Sequence, residues 1–249
     1  MFWKLNKASP EYSFPVIFTL GLSIWIIYIV DRLLDNKKID NCPTERHIFH
    51  QRYTKILWYF VGLLVLLCTI LLFYLPHSVI IFGVIICLIT SIYLFVVSKI
   101  SSKNNFQPYK EPITSLVYVS GVYGTTILHG PFTFSVLIGV IFFLIVFQNL
   151  LLFSLFELKK NTKAFNLAAY FGIKKSNSIN LFITCFILVL SFILFHSSNI
   201  TYQNRVVIVE LSMSFCLLII NLFDSFFLIN DRYRWVGDGI FLLPLVIIS

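Results

Sequence analysis

Charge is what this chain has least of. Only 12% of its 249 residues are Asp, Glu, Lys or Arg, while 58% are hydrophobic. Ordinary soluble domains carry roughly a quarter charged residues. A soluble fold of this composition would have too little polar surface to show water, which leaves a chain whose surface is lipid. Cysteine is sparse as well. Cys68, Cys87, Cys185 and Cys216 lie inside apolar runs, where a thiol behaves as a small hydrophobe, and Cys42 stands alone in a polar stretch. Neither a disulfide framework nor a zinc spacing is present. Strict apolar–polar alternation is missing too. Runs such as Leu63-Leu64-Val65-Leu66-Leu67 exclude the lipid-out, lumen-in pattern of a membrane β-barrel.

What the chain has instead is long apolar runs. Crossing a hydrocarbon core of ~30 Å takes roughly 20 residues of helix. Runs near residues 14–30, 56–75, 78–97, 113–128, 132–156, 179–195, 206–229 and 235–248 approach or reach that length. Backbone groups in lipid must bond within their own segment, so each run is expected to be a helix. The expectation is an all-α fold: a single polytopic bundle of about eight membrane-spanning helices. Lys4 and Lys7 before the first run resemble the start of a signal peptide. The run ends in Asp31-Arg32 with no small-residue cleavage site, so it is read as a retained span. Asn199-Ile200-Thr201 fits a glycosylation acceptor, but so short a pattern carries no weight.

Eight alternating spans sort the charge. Of 19 basic residues, all but Lys4, Lys7 and Arg205 fall in the stretches 31–55, 98–112, 157–177 and 230–234, which then share one side. The positive-inside rule places that side in the cytoplasm of a cell-membrane protein. A nucleic-acid role for the net charge of +8 fits poorly, because the basic loops are short, mixed with acids and tethered to lipid.

Two of these stretches carry candidate chemistry. In the first, Asp31 and Asp35 lie four apart. If the first helix continues one turn beyond the membrane, both carboxylates share a face. Paired carboxylates suit a hard cation such as Mg²⁺. The alternative is that charges gather at the membrane edge because they cannot enter it. In the second, Glu157 and Asn161 are again four apart, and Gln148 and Asn149 lie inside the preceding apolar run. Amides at membrane depth face a cavity or bond a neighbouring helix. His47 and His50 are three apart with no third ligand at hand, which favours a surface role. Glu210, Asp224 and Asp238 belong to the last two runs. If buried, they would point to a proton- or cation-coupled carrier.

Taken together, the two stretches resemble the signature regions of the UbiA superfamily of intramembrane prenyltransferases. That family carries an Asn-Asp-x-x-Asp-x-x-x-Asp motif with an Arg-Pro stretch soon after. Four helices later comes an Asp-x-x-x-Asp motif and a Leu-Ala-rich segment ending in Gly. Here Asp31–Asp35 covers the first motif and Thr44-Glu45-Arg46-His47 the Arg-Pro stretch. Glu157–Asn161 covers the second motif, and Ala168–Gly172 with Lys174 the segment after it. Tyr109-Lys110 resembles a Tyr and Lys kept near the diphosphate. The motifs depart from the family pattern. Asp31 stands where Asn is usual, Arg32 where Asp is usual, Ile39 replaces the last Asp with Asp40 one residue late, and Glu157 and Asn161 replace both aspartates. Set against the family's usual nine helices, eight imply that a first helix is missing or that the start codon is misassigned.

The resemblance implies a prenyl diphosphate donor, a lipophilic acceptor, and Mg²⁺ held by Asp31, Asp35 and Glu157, which would be the catalytic carboxylates. Arg32, Arg46, Lys110 and Lys159 would bind diphosphate, and Asn149 and Asn161 would line the cavity. The 27 Phe and 12 Tyr could supply an aromatic lining, although most Phe must simply face lipid. The competing expectations are a non-catalytic isoprenoid- or lipid-binding protein and a small transporter. Pro112 and Pro244 could break helices as transporters do.

Overall fold

The computed structural model describes residues 14–36, 45–99, 107–127, 132–162, 166–197 and 200–248. Every regular element among them is a helix. They fall into two compact units, one within residues 10–104 and the other carried by residues 105–249.

The N-terminal unit holds α1 (Phe14–Asn36), α2 (Glu45–Arg52), α3 (Thr54–Leu71) and α4 (His77–Lys99). Leu22, Ile29 and Leu33 recur at intervals of seven and four on α1, which aligns them on one helix face. That face packs on Val61 and Leu64 of α3. The edge of the Trp25 ring meets Phe60, with centroids 5.8 Å apart. Most other apolar side chains face outward, among them Phe18, Leu63, Leu66 and Ile70, and Ile81, Leu88 and Ile92 on α4. Helices that are apolar all round need lipid as their solvent. Some of their hydroxyls are satisfied locally, whereas Thr90 of α4 is buried without a partner. Thr19 and Thr69 donate to the carbonyls of Pro15 and Val65 at 2.7 and 2.9 Å. Between α3 and α4 the chain turns sharply at Leu72–Tyr74, and the Pro76 carbonyl accepts the first amides of α4.

The C-terminal unit contains α5 (Lys110–Ile127), α6 (Phe132–Lys160), α7 (Leu167–Phe171), α8 (Ile173–Ser197), α9 (Thr201–Leu222), α10 (Asp224–Leu228), α11 (Arg232–Gly239) and α12 (Leu243–Ile248). At its centre is α6, with Ile138, Ile141, Ile145, Leu151, Leu152, Leu155 and Phe156 buried on all sides. α5, α8, α9 and α11 pack around it. α5 runs antiparallel to α6 and is fastened to it at both ends. The Tyr123 hydroxyl donates to the Ser135 carbonyl at 2.7 Å, and Ser154 donates to the Glu111 carboxyl at 2.5 Å.

Six described helices are long and apolar enough to cross a membrane: Phe14–Leu34, Thr54–Tyr74, His77–Val96, Phe134–Lys160, Ile173–Ser197 and Thr201–Leu222. Two of the eight expected spans fall short, for different reasons. α5 is a continuous helix diluted by Lys110, Glu111, Thr114, Ser115 and Ser120, which it can carry because protein covers much of it. The last expected span is broken. A tight turn at Ile240–Leu242 divides it into α11 and α12, while Asn230 and Asp231, left-handed at φ of 51° and 56°, separate α10 from α11 in the connection expected before it. Asn and Asp are the non-glycine residues that enter this region most readily.

Candidate functional site

α1 continues through Asn36, so Asp31 and Asp35 do lie one turn apart on a single helix. Asp31 and Arg32 are half-buried at its end, and the Arg32 guanidinium lies 5.3 Å from the Tyr28 ring centroid. The side chains of Asp35, Arg46 and His47 fall outside the described residues, as does all of Asp40.

In the C-terminal unit, one end of the bundle collects the other candidates. Glu111 sits in the first turn of α5, before the apolar run begins. Its Oε1 accepts from the Ser154 hydroxyl of α6 and from the Leu167 amide of α7 at 3.2 Å. Its Oε2 is buried without a hydrogen-bond partner. Burial holds this carboxyl above the ordinary carboxylate range, against the lowering pull of its two donors. Asn166 completes the corner. Its side-chain oxygen caps α7 by accepting from the Ala169 amide at 3.0 Å, and its Nδ2 donates to the Ser154 carbonyl at 2.9 Å. Gly172, at φ 81°, then turns the chain from α7 into α8, a conformation that favours glycine. The Leu-Ala-rich segment therefore folds back on α6 beside Lys110.

The end of α6 is joined to the 224–234 segment by three ion pairs. Glu157 accepts from Arg234, Lys159 bonds Asp224 at 2.6 Å, and Lys160 bonds Asp231 at 2.5 Å. The hydrogen bond from Lys159 holds the Asp224 carboxyl below the usual range. Beneath the pairs lies an aromatic cluster. The Tyr233 ring meets Phe156 at 4.7 Å and Phe153 at 5.6 Å, and Arg234 lies over both Tyr233 and Phe153. Asn161 is exposed just past the end of α6. Asn149 is buried about three turns deeper, where α11 approaches so closely that a Cβ on Gly237 would stand 2.8 Å from its Oδ1.

Lys110, Glu157, Lys159 and Asn161 thus gather at one end, with Asn149 below. Asp31 and Arg32 belong to the N-terminal unit. Reasoning from sequence missed Glu111, Arg234 and Gly237. An acidic residue beside Lys110 in a helix's first turn was the available signal for Glu111. Nothing in sequence separates Arg234 from other membrane-edge cations. No group of three or more His, Cys, Asp or Glu able to hold a metal occurs among the described residues. At the α6 end the donor set does not fit a resident Mg²⁺, since Glu157 offers one carboxylate that Arg234 already neutralises.

No protein-family model, curated protein or solved structure matches the chain.

Proposed function

We propose that the chain is a UbiA-like intramembrane prenyltransferase that seats a prenyl diphosphate with its head at the basic end of the C-terminal unit. The isoprenoid tail runs among the apolar helices. One observation carries the proposal: the corner fastened by Glu111. It brings together the Lys110 turn and the end of α6 with Lys159, where the resemblance puts diphosphate contacts, and the Ala168–Gly172 segment that follows the second motif. Around that corner Lys110, Lys159, Lys160, Lys174, Lys175, Arg232 and Arg234 outnumber Glu111, Glu157, Asp224 and Asp231. An excess of cations at the membrane edge suits a lipid with a doubly phosphorylated head, and arginine can grip it with two parallel hydrogen bonds.

In this reading the chain crosses the membrane eight times, with α5 and the broken 232–248 segment as the two further crossings. The basic end lies in the cytoplasm. The reaction breaks the allylic carbon–oxygen bond, and its electron pair leaves on the diphosphate. The acceptor's electron pair closes the new bond, and its proton passes to solvent. Lys110, Lys159 and Arg234 neutralise the departing charge. The rings of Phe153, Phe156 and Tyr233 shelter the allylic cation. The resemblance assigns Mg²⁺ to Asp31, Asp35 and Glu157, of which Glu157 is already paired with Arg234.

The test is binding of farnesyl and geranylgeranyl diphosphate to the detergent-purified full chain, with and without Mg²⁺, comparing wild type with Lys110→Ala and Asp35→Ala. Mg²⁺-dependent binding weakened in both variants is the expected result. Binding without turnover over a panel of aromatic and isoprenoid acceptors would leave an isoprenoid-binding protein. Binding indifferent to Mg²⁺ and to both residues would end the proposal.

A further inference from the structure

Glu210 takes no part in the basic end. It lies in the middle of α9, roughly 14 Å from one end of that helix and roughly 18 Å from the other at 1.5 Å per residue. Its side chain is completely buried, and neither carboxyl oxygen has a hydrogen-bond partner. Every other described acid has at least one interacting partner. Among the described residues no charged group neutralises it. Lys159 and Arg234 are engaged by Asp224 and Glu157 at the basic end, and Asp238 of α11 bears on Tyr118 instead. The titratable group near enough to interact with Glu210 is Tyr123 of α5, whose hydroxyl is donated to the Ser135 carbonyl. A carboxylate stripped of water with no counter-ion is prohibitively unfavourable, so the resident form is the neutral acid. Intramembrane acids of this kind mark proton or ion sites.

A polar line leads from this residue to the basic end. Ser214 lies one turn along α9 on the same face as Glu210, and its hydroxyl donates to Gln148 Oε1 at 2.8 Å. Gln148 Nε2 donates to Thr184 Oγ1 at 2.9 Å, and Thr184 donates to the Asn180 carbonyl at 3.2 Å. The side chains of Asn180 and Ser176, each one turn nearer the start of α8, are buried and lack partners. Buried polar groups left open in this way are where ordered water binds. Beyond them come the exposed Lys174 and Lys175.

We propose that Glu210 is a proton-binding site at membrane depth, which exchanges its proton with the basic end along the line Ser214–Gln148–Thr184–Asn180. The ligand is the proton itself, passed between water and carboxyl with no other reactant. The inference stands independently of the diphosphate site. It is tested by infrared spectroscopy of the full chain in lipid, following the carbonyl stretch of the protonated carboxyl on transfer to heavy water. Expected is a band that shifts promptly in the wild type, is absent in Glu210→Gln, and exchanges about tenfold more slowly in Gln148→Leu, where both amide hydrogen bonds are lost. If Glu210→Gln does not assemble, modification of wild-type Glu210 by an apolar carbodiimide, located by mass spectrometry, assigns the band instead. A Glu210 band that stays unshifted for hours would show a sealed structural acid and overturn the proposal. So would loss of the band on adding Na⁺ at fixed pH, which would make the site a metal-cation site.

Discussion

Single side chains at the basic end can be probed one at a time. The folded chain favours the protonated form of Glu111 because burial outweighs its donors. Its contribution to stability is therefore fully present below the ordinary glutamate range and is lost as pH rises through its raised value. Wild type should lose melting temperature in detergent across that window, whereas Glu111→Gln should show a flatter profile. Glu111→Ala, which leaves Ser154 and the Leu167 amide without their acceptor, should cost about 1–3 kcal/mol at all pH values. An identical profile for wild type and Glu111→Gln would count against a raised carboxyl. Asp224 and Asp231 are partly exposed partners of Lys159 and Lys160, and they compete with any diphosphate for those ammonium groups. Exposed pairs are individually weak, so Asp224→Asn with Asp231→Asn should tighten farnesyl diphosphate binding only severalfold, by about 1 kcal/mol in total. Weaker binding would place the diphosphate elsewhere. Gly237 is the third probe. A methyl group there would meet the Phe153 ring at 2.7 Å and Asn149 at 2.8 Å. The ring is already set against Tyr233, so Gly237→Ala should destabilise by about 1–3 kcal/mol through overpacking, read as a lowered melting temperature.

At the scale of elements, the corner of α5, α6 and α7 depends on Asn166, which caps α7 and also holds the Ser154 carbonyl. Asn166→Ala should cost about 1–2 kcal/mol, and faster amide hydrogen exchange should be confined to α7 and its neighbours. Elements of this size were partly legible in the sequence. α1, α3, α4, α6, α8 and α9 announce themselves because lipid demands an unbroken apolar run and tolerates no other backbone geometry. α5 was placed as well, at 113–128, although a helix covered by protein carries Thr and Ser that a lipid-facing one would shed. The boundary at Asn230 and Asp231 was legible as the charged connection 230–234, whereas the ends of α9 at Leu222 and of α11 at Gly239 were not, because the apolar pattern runs on through both. The candidate site was legible as a set of residue types and not as a set of partners. Glu157 and Arg234 are 77 residues apart, and only the packing of α11 on α6 selects that arginine over Arg232. Gln148 read as an amide at depth; its two partners, on α8 and α9, needed the fold.

For the whole molecule the open quantity is the number of crossings, and it fixes where the basic end lies. Placing the corner of the C-terminal unit in the cytoplasm requires α5 to cross, although α5 is not among the described helices long and apolar enough to span. Were α5 not to cross, α6 would begin on the side where α4 ends, and its basic end would emerge on the opposite face. The two arrangements differ at single positions. In a chain freed of its five cysteines, one cysteine at a time is introduced as Lys103→Cys, Gly130→Cys, Lys174→Cys or Arg205→Cys, then exposed to an impermeant maleimide on intact cells. Eight crossings with the basic end inside predict labelling at 130 and 205 and protection at 103 and 174 until the membrane is opened. Labelling 103 and 130 on the same side would show that α5 does not cross. The basic end would then face outward, away from any cytoplasmic pool of prenyl diphosphate, and the transferase reading would lose its donor.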